Sequence, residues 1–233
     1  MMVSIHQPAY LPWLGYFARI AASDVHVVLD HVQFEKNSFI NRNRVRAAQG
    51  ACWLTVPVQT KGRFGRLPIS AVRIDNSRDW RKQHWRTLAQ SYSRSPHFAE
   101  HAAFFERIYA RRWERLIDLC TEINAYLLRA LHIDTPLRQA SSLGASGVKD
   151  DLVLALCRAC GATTYLSGVW GRDYLRVERF ASAGVAVRFQ DYAHPVYPQR
   201  GTAFEPNLSV VDLLFECGPA SGDILRSAPV ATR

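Results

Sequence analysis

Short apolar runs alternate with amphipathic ones from the start of the chain. Residues 3–6 (Val-Ser-Ile-His) are apolar and β-branched and predict a strand. Pro8 and Pro12 then force an irregular loop. Residues 13–22 set Leu14, Phe17, Ala18 and Ala21 on one stripe, the spacing of a helix. Residues 25–30 (Val-His-Val-Val-Leu-Asp) read as a second strand, buried on both faces. Strand, helix and strand in that order form a βαβ unit, which implies a parallel sheet with a right-handed crossover.

The same pattern returns late in the chain. Residues 150–160 predict a helix stopped by Gly161, and residues 164–167 a strand running into a glycine turn. Residues 173–183 predict a helix stopped by Gly184, and residues 185–189 a strand. Between the two units lie an expected strand at 52–58 and an extended piece at 71–74. A helix follows at 79–92, then, beyond Pro96, one long helical stripe over 101–131. Residues 137–143 read as an edge or loop. The prediction is an α/β fold: a Rossmann-like parallel-sheet core with a mainly helical middle segment. Residues 1–218 form one domain with a helical insertion at about 79–132, and residues 219–233 a flexible C-terminal tail.

Composition adds little to this until charge is counted. With 48% hydrophobic and 21% charged residues, the 233-residue chain has a globular balance that excludes wholesale disorder and fibrous repeats. No apolar stretch approaches the roughly 18 residues of a membrane span, and the first residues lack a signal peptide's charged and apolar regions. The expectation is a cytoplasmic protein. The net charge of +9 is nearly all arginine, since Lys36, Lys61, Lys82 and Lys149 are the only lysines. A guanidinium fork suits bidentate recognition of phosphate or carboxylate. An anionic small molecule therefore explains the excess as well as a nucleic acid does. Cys157 and Cys160 form a CxxC with no second pair at finger spacing, so they read as buried thiols and no metal site is expected.

Four clusters could carry chemistry. His6, Gln7, Tyr10 and Trp13 follow the first strand, where open parallel sheets bind ligands. A histidine there can stabilise charge developing on a phosphate; the alternative is a core histidine in a rigid turn. Asp30, Gln33 and Lys36, with Asn41, Arg42, Asn43 and Arg44, follow the second strand and offer donors to an anion, or form a solvated charge run. Ser167, Gly168 and Arg172 lie in a glycine turn between strand and helix that could lend a hydroxyl and backbone N–H groups to phosphate, or be a tight connection only. His194, Tyr197 and Gln199 form the fourth cluster, with His194 the candidate general base, or simply a proline-rich turn. No GxSxG, HExxH or Walker loop is present.

These residues resemble the WbqC-like family over nearly the whole chain. The resemblance is carried by His6-Gln7-Pro8-x-Tyr10-Leu11-Pro12-Trp13-x-Gly15-Tyr16-Phe17, by Asp30 with Val32-Gln33-Phe34, and by Asn41-Arg42-Asn43. Trp53-Leu54-Thr55-Val56-Pro57-Val58, Tyr165-Leu166-Ser167-Gly168 and His194-Pro195-x-Tyr197-x-Gln199 complete it. The turn after Gly168 departs from the family pattern in holding Trp170 and Arg172. The resemblance implies a setting in bacterial surface-polysaccharide or related biosynthesis, and no settled reaction. In shape alone, the first strand, loop, helix and strand are also similar to nucleotidylyltransferase-like enzymes, including pantoate–β-alanine ligases, in which a histidine at the first loop contacts ATP phosphates.

The leading expectation is a group-transfer enzyme, either acyl or aminoacyl transfer or ATP-dependent amide formation, on a nucleotide-linked or amino-sugar-type substrate. His6, His194 and Lys36 are its expected catalytic residues. An adenylate-forming reaction would take ATP with magnesium. The alternatives are a non-catalytic nucleic-acid-binding protein using Arg81, Arg86, Arg111 and Arg112, and an assembly factor docking through Trp80, Trp85 and Tyr92.

Overall fold

A computed structural model describes residues 1–48, 50–63, 65, 67–201, 203–227 and 230–232, with backbone only for the last three. Strand β1 (Met2–His6) pairs in parallel with β2 (Val25–Val28), Val3 opposite Val25 and Ser4 opposite His26. On its other side β1 pairs with β6 (Thr164–Ser167). With β3 (Arg42–Ala47) and β4 (Gly50–Thr55) forming a separate antiparallel hairpin, the main sheet runs β5-β2-β1-β6-β7-β8. Here β5 is Leu137–Gln139, β7 Ala186–Tyr192 and β8 Val230–Thr232. The first five strands are parallel and β8 runs antiparallel to β7, so the Rossmann-like parallel core is present.

The chain winds outward from β1 on one side, then crosses back to continue on the other. Right-handed crossovers in opposite directions place helices on opposite faces of the sheet. Helix α1 (Leu14–Ala21) enters one core, shared with α2 (Trp80–Tyr92), α3 (Phe98–Ala110), α4 (Leu116–Ala130) and α7 (Val210–Cys217). Helices α5 (Asp150–Ala159) and α6 (Val177–Ser182) build a second core with Val3, Ile5, Val25 and Val27. Thus β1 sends Val3 and Ile5 to one face and Ser4 and His6 to the other, the period of two that a strand requires. Cys157 and Cys160 are buried free thiols, and burial pushes Cys157 up to about 12.

Several expectations need correction. The long stripe over 101–131 is two helices. Residues 111–115 leave the helix to pair with the extended piece near 72–74, with Ile74 N–H donating to Glu114 O at 2.9 Å and Leu116 N–H to Val72 O at 3.0 Å. The polar run at 41–44 lies largely in β3, where Asn43 and Val45 are fully buried and the arginines between them face outward. The strand expected at 52–58 is β4, outside the parallel sheet. The helix expected at 173–183 is shortened, a 3-10 turn at Val169–Asp173 taking its start. Residues beyond 218 are not uniformly loose: α8 (Ser221–Ser227) packs on α1 with Leu225 fully buried.

Candidate functional site

Neighbouring strands β1 and β6 leave the sheet in the same direction, but their chain connections depart to opposite sides. In open α/β sheets a crevice opens at such a switch point, outside the carboxyl ends of the strands. A cleft of about 660 Å³ occupies this place. His6 and Gln7 reach it from the end of β1, and Ser167 and Gly168 from the end of β6. Trp13, Gly15 and Arg19 come from α1 and its entry, Gln190, Asp191 and Tyr192 from β7, and Phe39 and Arg44 from the segment that becomes β3. A second depression, about 380 Å³ between Gln90, Arg94 and Arg200, is shaped by exposed or half-buried polar side chains and brings no buried titratable group.

Arg19 dominates the electrostatics. It is the one charged residue of α1, whose residues from Leu14 to Ile20 are all buried, and it is 7% exposed. Its Nε–H donates to Gln190 Oε1 at 2.9 Å, and Gln190 Nε2 donates to Gly15 O at 3.1 Å. Among the described residues no carboxylate lies within ion-pairing distance of it. Burial pushes it down from its ordinary value, and the neighbouring Tyr165, Tyr16 and Tyr174 are neutral phenols that supply no negative charge. A guanidinium stays charged through such a shift. The described residues therefore bury a positive charge beside a cleft without supplying its counter-ion. Such an arrangement is stabilised by an anion from outside.

Gly168 explains how the guanidinium is held. A Cβ built on it would lie 3.0 Å from Nη1, 3.1 Å from Nη2 and 3.2 Å from Cζ of Arg19. Near-equal distances to all three atoms place that point above the guanidinium plane. The backbone at 168 therefore covers the face of the fork and leaves the Nη edges free in the plane. Gly168→Ala is expected to displace the fork, weakening anion binding about tenfold, with the melting temperature shifted by only a few degrees. Phosphate titration of the two proteins checks this.

His6 has different chemistry from the phosphate-holding cation the sequence suggests. Its Nδ1 lies 2.7 Å from Gln7 O, which accepts no proton-free nitrogen as a partner, so Nδ1 carries the hydrogen and Nε2 the lone pair. Trp13 and Tyr16 meet the ring edge-on at 5.4 and 5.3 Å. Burial, then Arg19, lowers its pKa to about 3. It is a neutral imidazole whose Nε2 lone pair can accept a hydrogen bond, next to a cation that disfavours its protonation.

Of the other residues singled out from the sequence, Gln7, Trp13, Arg44, Ser167 and Gly168 border this cleft. The rest lie elsewhere. Tyr10 is buried, its hydroxyl 2.8 Å from His84 Nδ1 and 2.5 Å from the Tyr109 hydroxyl. Asp30 accepts from Ser141 N–H and Oγ–H, fastening the turn after β5. Gln33 accepts from Leu67 N–H and donates to Phe34 O. Asn41 and Asn43 donate to Val56 O and Leu11 O, stitching the hairpin to the body. Lys36 is exposed; Arg42 lies over Trp53 at 4.4 Å and Arg172 over Phe189 at 4.5 Å. Tyr197 and Gln199 donate to Asp212, which also accepts from Tyr92, and His194 stacks on Tyr197. Sequence reasoning missed Arg19, Phe39, Tyr174, Gln190 and Tyr192. Only Arg19 left a signal, a lone charge in an otherwise apolar helix.

The aromatic face proposed for docking does not exist as a surface. Trp80 and Tyr92 are buried, and Trp85 is half-buried and stacked on Phe98. Among the described residues no group of three or more His, Cys, Asp or Glu side chains could hold a metal ion, and no helix is long and apolar enough to cross a membrane. Magnesium at this cleft would arrive with the phosphates of a ligand, as it commonly does.

Fold and cleft together define a parallel α/β protein with a cleft at the switch point of its sheet. The chain belongs to the WbqC-like protein family, whose model matches residues 7–224. It is 38% identical over 229 residues to an uncharacterized protein of Mycobacterium tuberculosis strain H37Rv, Rv1507c, covering 96% of this chain and 97% of that one. No solved structure matches it significantly.

Proposed function

We propose that this protein is a group-transfer enzyme that binds the anionic part of a small-molecule substrate on Arg19 and uses the lone pair of neutral His6 to orient the attacking group by a hydrogen bond. The carrying observation is the buried guanidinium with no counter-ion among the described residues, set beside a neutral histidine at the carboxyl end of β1. The reaction is acyl or aminoacyl transfer onto an amine of a nucleotide-linked or amino-sugar substrate, in the polysaccharide-related biosynthesis implied by the family resemblance. The amine nitrogen attacks the carbonyl carbon of an activated acyl donor and a C–N bond forms. The bond to the leaving group breaks, the leaving group keeps its electron pair and takes up the amine proton, and His6 Nε2 accepts a hydrogen bond that orients the amine. Losing that orientation can cost about a hundredfold in rate.

Thermal unfolding against nucleotides, nucleotide-sugars and amino-sugar phosphates tests the binding half. A ligand at a hundred times its dissociation constant should add about 2.7 kcal/mol of stability. Mass spectrometry of mixtures with activated acyl donors tests the transfer half. His6→Ala is expected to keep the ligand-induced shift and lose about a hundredfold in product formation. If no small anion shifts the transition and nucleic acid binds with steep salt dependence instead, the enzyme reading falls and the nucleic-acid reading replaces it.

A further inference from the structure

We propose that the mouth of the cleft is a ring-stacking subsite and that its ligand is a nucleotide, with the base on Trp170 and the phosphate on Arg19. This rests on the anion-binding reading of the cleft and extends it to the other end of the ligand. Trp170 is 79% exposed, although most of the chain's large aromatic side chains are buried or half-buried. It sits in the 3-10 turn that begins just after Gly168, so the group covering the Arg19 fork and the exposed indole are two residues apart. Arg172, lying over Phe189 at 4.5 Å, ties the same turn back to β7.

Among the described residues no aromatic ring and no guanidinium is paired with the Trp170 indole. Trp53 differs: it is 46% exposed, but Arg42 covers one face. Exposed apolar side chains are also concentrated here. Val169, Trp170, Tyr174 and Phe39 all border the one cleft, and each is more than two-fifths exposed. Scattered apolar residues need no explanation, whereas a cluster around a concave site does. The cleft volume, about 660 Å³, lies within the range of roughly 300–1,000 Å³ usual for small-molecule sites. A ligand suited to both ends must be anionic at one and flat and apolar at the other. A nucleotide meets both demands, because every base has a π-face and the phosphate is the natural partner of a desolvated arginine.

The test compares AMP, GMP, CMP and UMP with ribose 5-phosphate, which carries the same phosphate on the same sugar but no base. Binding is read by calorimetry and by tryptophan fluorescence. At least one nucleotide is expected to bind wild-type protein about tenfold tighter than ribose 5-phosphate, the scale of a single base stack. Trp170→Ala should erase that advantage and leave ribose 5-phosphate affinity unchanged, and Trp170→Phe should retain most of it. Because Trp170 is exposed, neither variant should disturb folding. Equal, Arg19-dependent binding of nucleotides and ribose 5-phosphate overturns this inference and leaves the anion site standing. A nucleotide advantage that survives Trp170→Ala also overturns it. If none of these phosphates binds, the anion reading falls with it.

Discussion

Arg19→Met is expected to abolish anion binding while leaving the unliganded fold as stable as before, or more so. Removing one member of a buried ion pair ordinarily costs about 3–5 kcal/mol, because a charge is left uncompensated. Arg19 has no such partner among the described residues, so its removal takes away a desolvation penalty. The methionine keeps the packing of the stem against its apolar helix neighbours. One loss remains: Gln190 Oε1 loses the Nε–H donor it accepts at 2.9 Å, a cost of about 1–3 kcal/mol for a buried acceptor. The two terms oppose each other, and the melting temperature should stay within a few degrees of wild type, since about 1 kcal/mol moves it by roughly 2–4 °C in a chain of this size. Binding has no such compensation. Losing the partner of a desolvated anion should weaken affinity by about a hundredfold or more. Arg19→Lys keeps charge without the fork and should fall between the two. Scanning unfolding with and without phosphate decides the matter. A steep fall in melting temperature with the phosphate effect intact would make Arg19 a structural residue and remove the basis of the site.

The strands of the parallel core were legible because a central strand is buried on both faces, so its apolar run needs no partner to be recognised. β1, β2 and β6 are of this kind. β3 is not. Its Arg-Asn-Arg-Val-Arg-Ala alternates properly, but arginines fill the outward positions and the run reads as charge rather than as a half-buried strand. The break between α3 and α4 was hidden for another reason. Residues 111–115 stop being helical because residues 72–74 offer backbone partners, and no periodicity within 101–131 reports a pairing some forty residues away.

The site divides along the same line. Its strand-end residues His6, Gln7, Ser167 and Gly168 could be placed from topology alone, because the carboxyl edge of a parallel sheet is where ligands sit. The sequence clusters around Asn41, Asn43, Tyr197 and Gln199 hold equally distinctive side chains, but these spend their hydrogen bonds within the protein. Asn43 closes on Leu11 O, and Gln199 closes on Asp212 thirteen residues later. Spacing along the chain cannot distinguish an amide turned toward a ligand from one turned toward a carbonyl. Arg19 was missed because a charge on a short helix defaults to the solvent face, and only its contacts with Gln190 and Gly168 show it turned inward.

The buried histidines imply a second large effect, a loss of stability in mild acid. Burial lowers His6 to about 3 and His84 to about 4, and holds His26 well below its ordinary value. His26 Nδ1 is 2.8 Å from Ser4 Oγ, and His84 Nδ1 lies against the Tyr10 hydroxyl, so both rings are fixed in neutral networks. The unfolded chain protonates each of them near its unperturbed pKa of about 6.5, whereas the folded chain does not. Between pH 6.5 and the folded values the unfolded state therefore binds more protons, and stability falls as pH falls. Each histidine contributes up to about 1.4 kcal/mol per pH unit there, or about 2 kcal/mol at pH 5. Three acting independently would remove about 6 kcal/mol, a large part of the 5–15 kcal/mol typical of a domain. His101, buried, and His194, half-buried, shift in the same direction. Asp212 and Glu216 oppose them: burial raises both carboxyls, so their contribution grows as pH falls through the carboxylate range, below most of the histidine window. Urea unfolding at pH 7.5, 6.5, 5.5 and 5.0 measures the slope. It should steepen below 6.5, and His26→Gln and His84→Gln, each with one titrating ring fewer, should flatten it by about a third. A midpoint independent of pH across that range would mean that these rings accept protons in the folded state, and with it that His6 does not stand neutral beside Arg19.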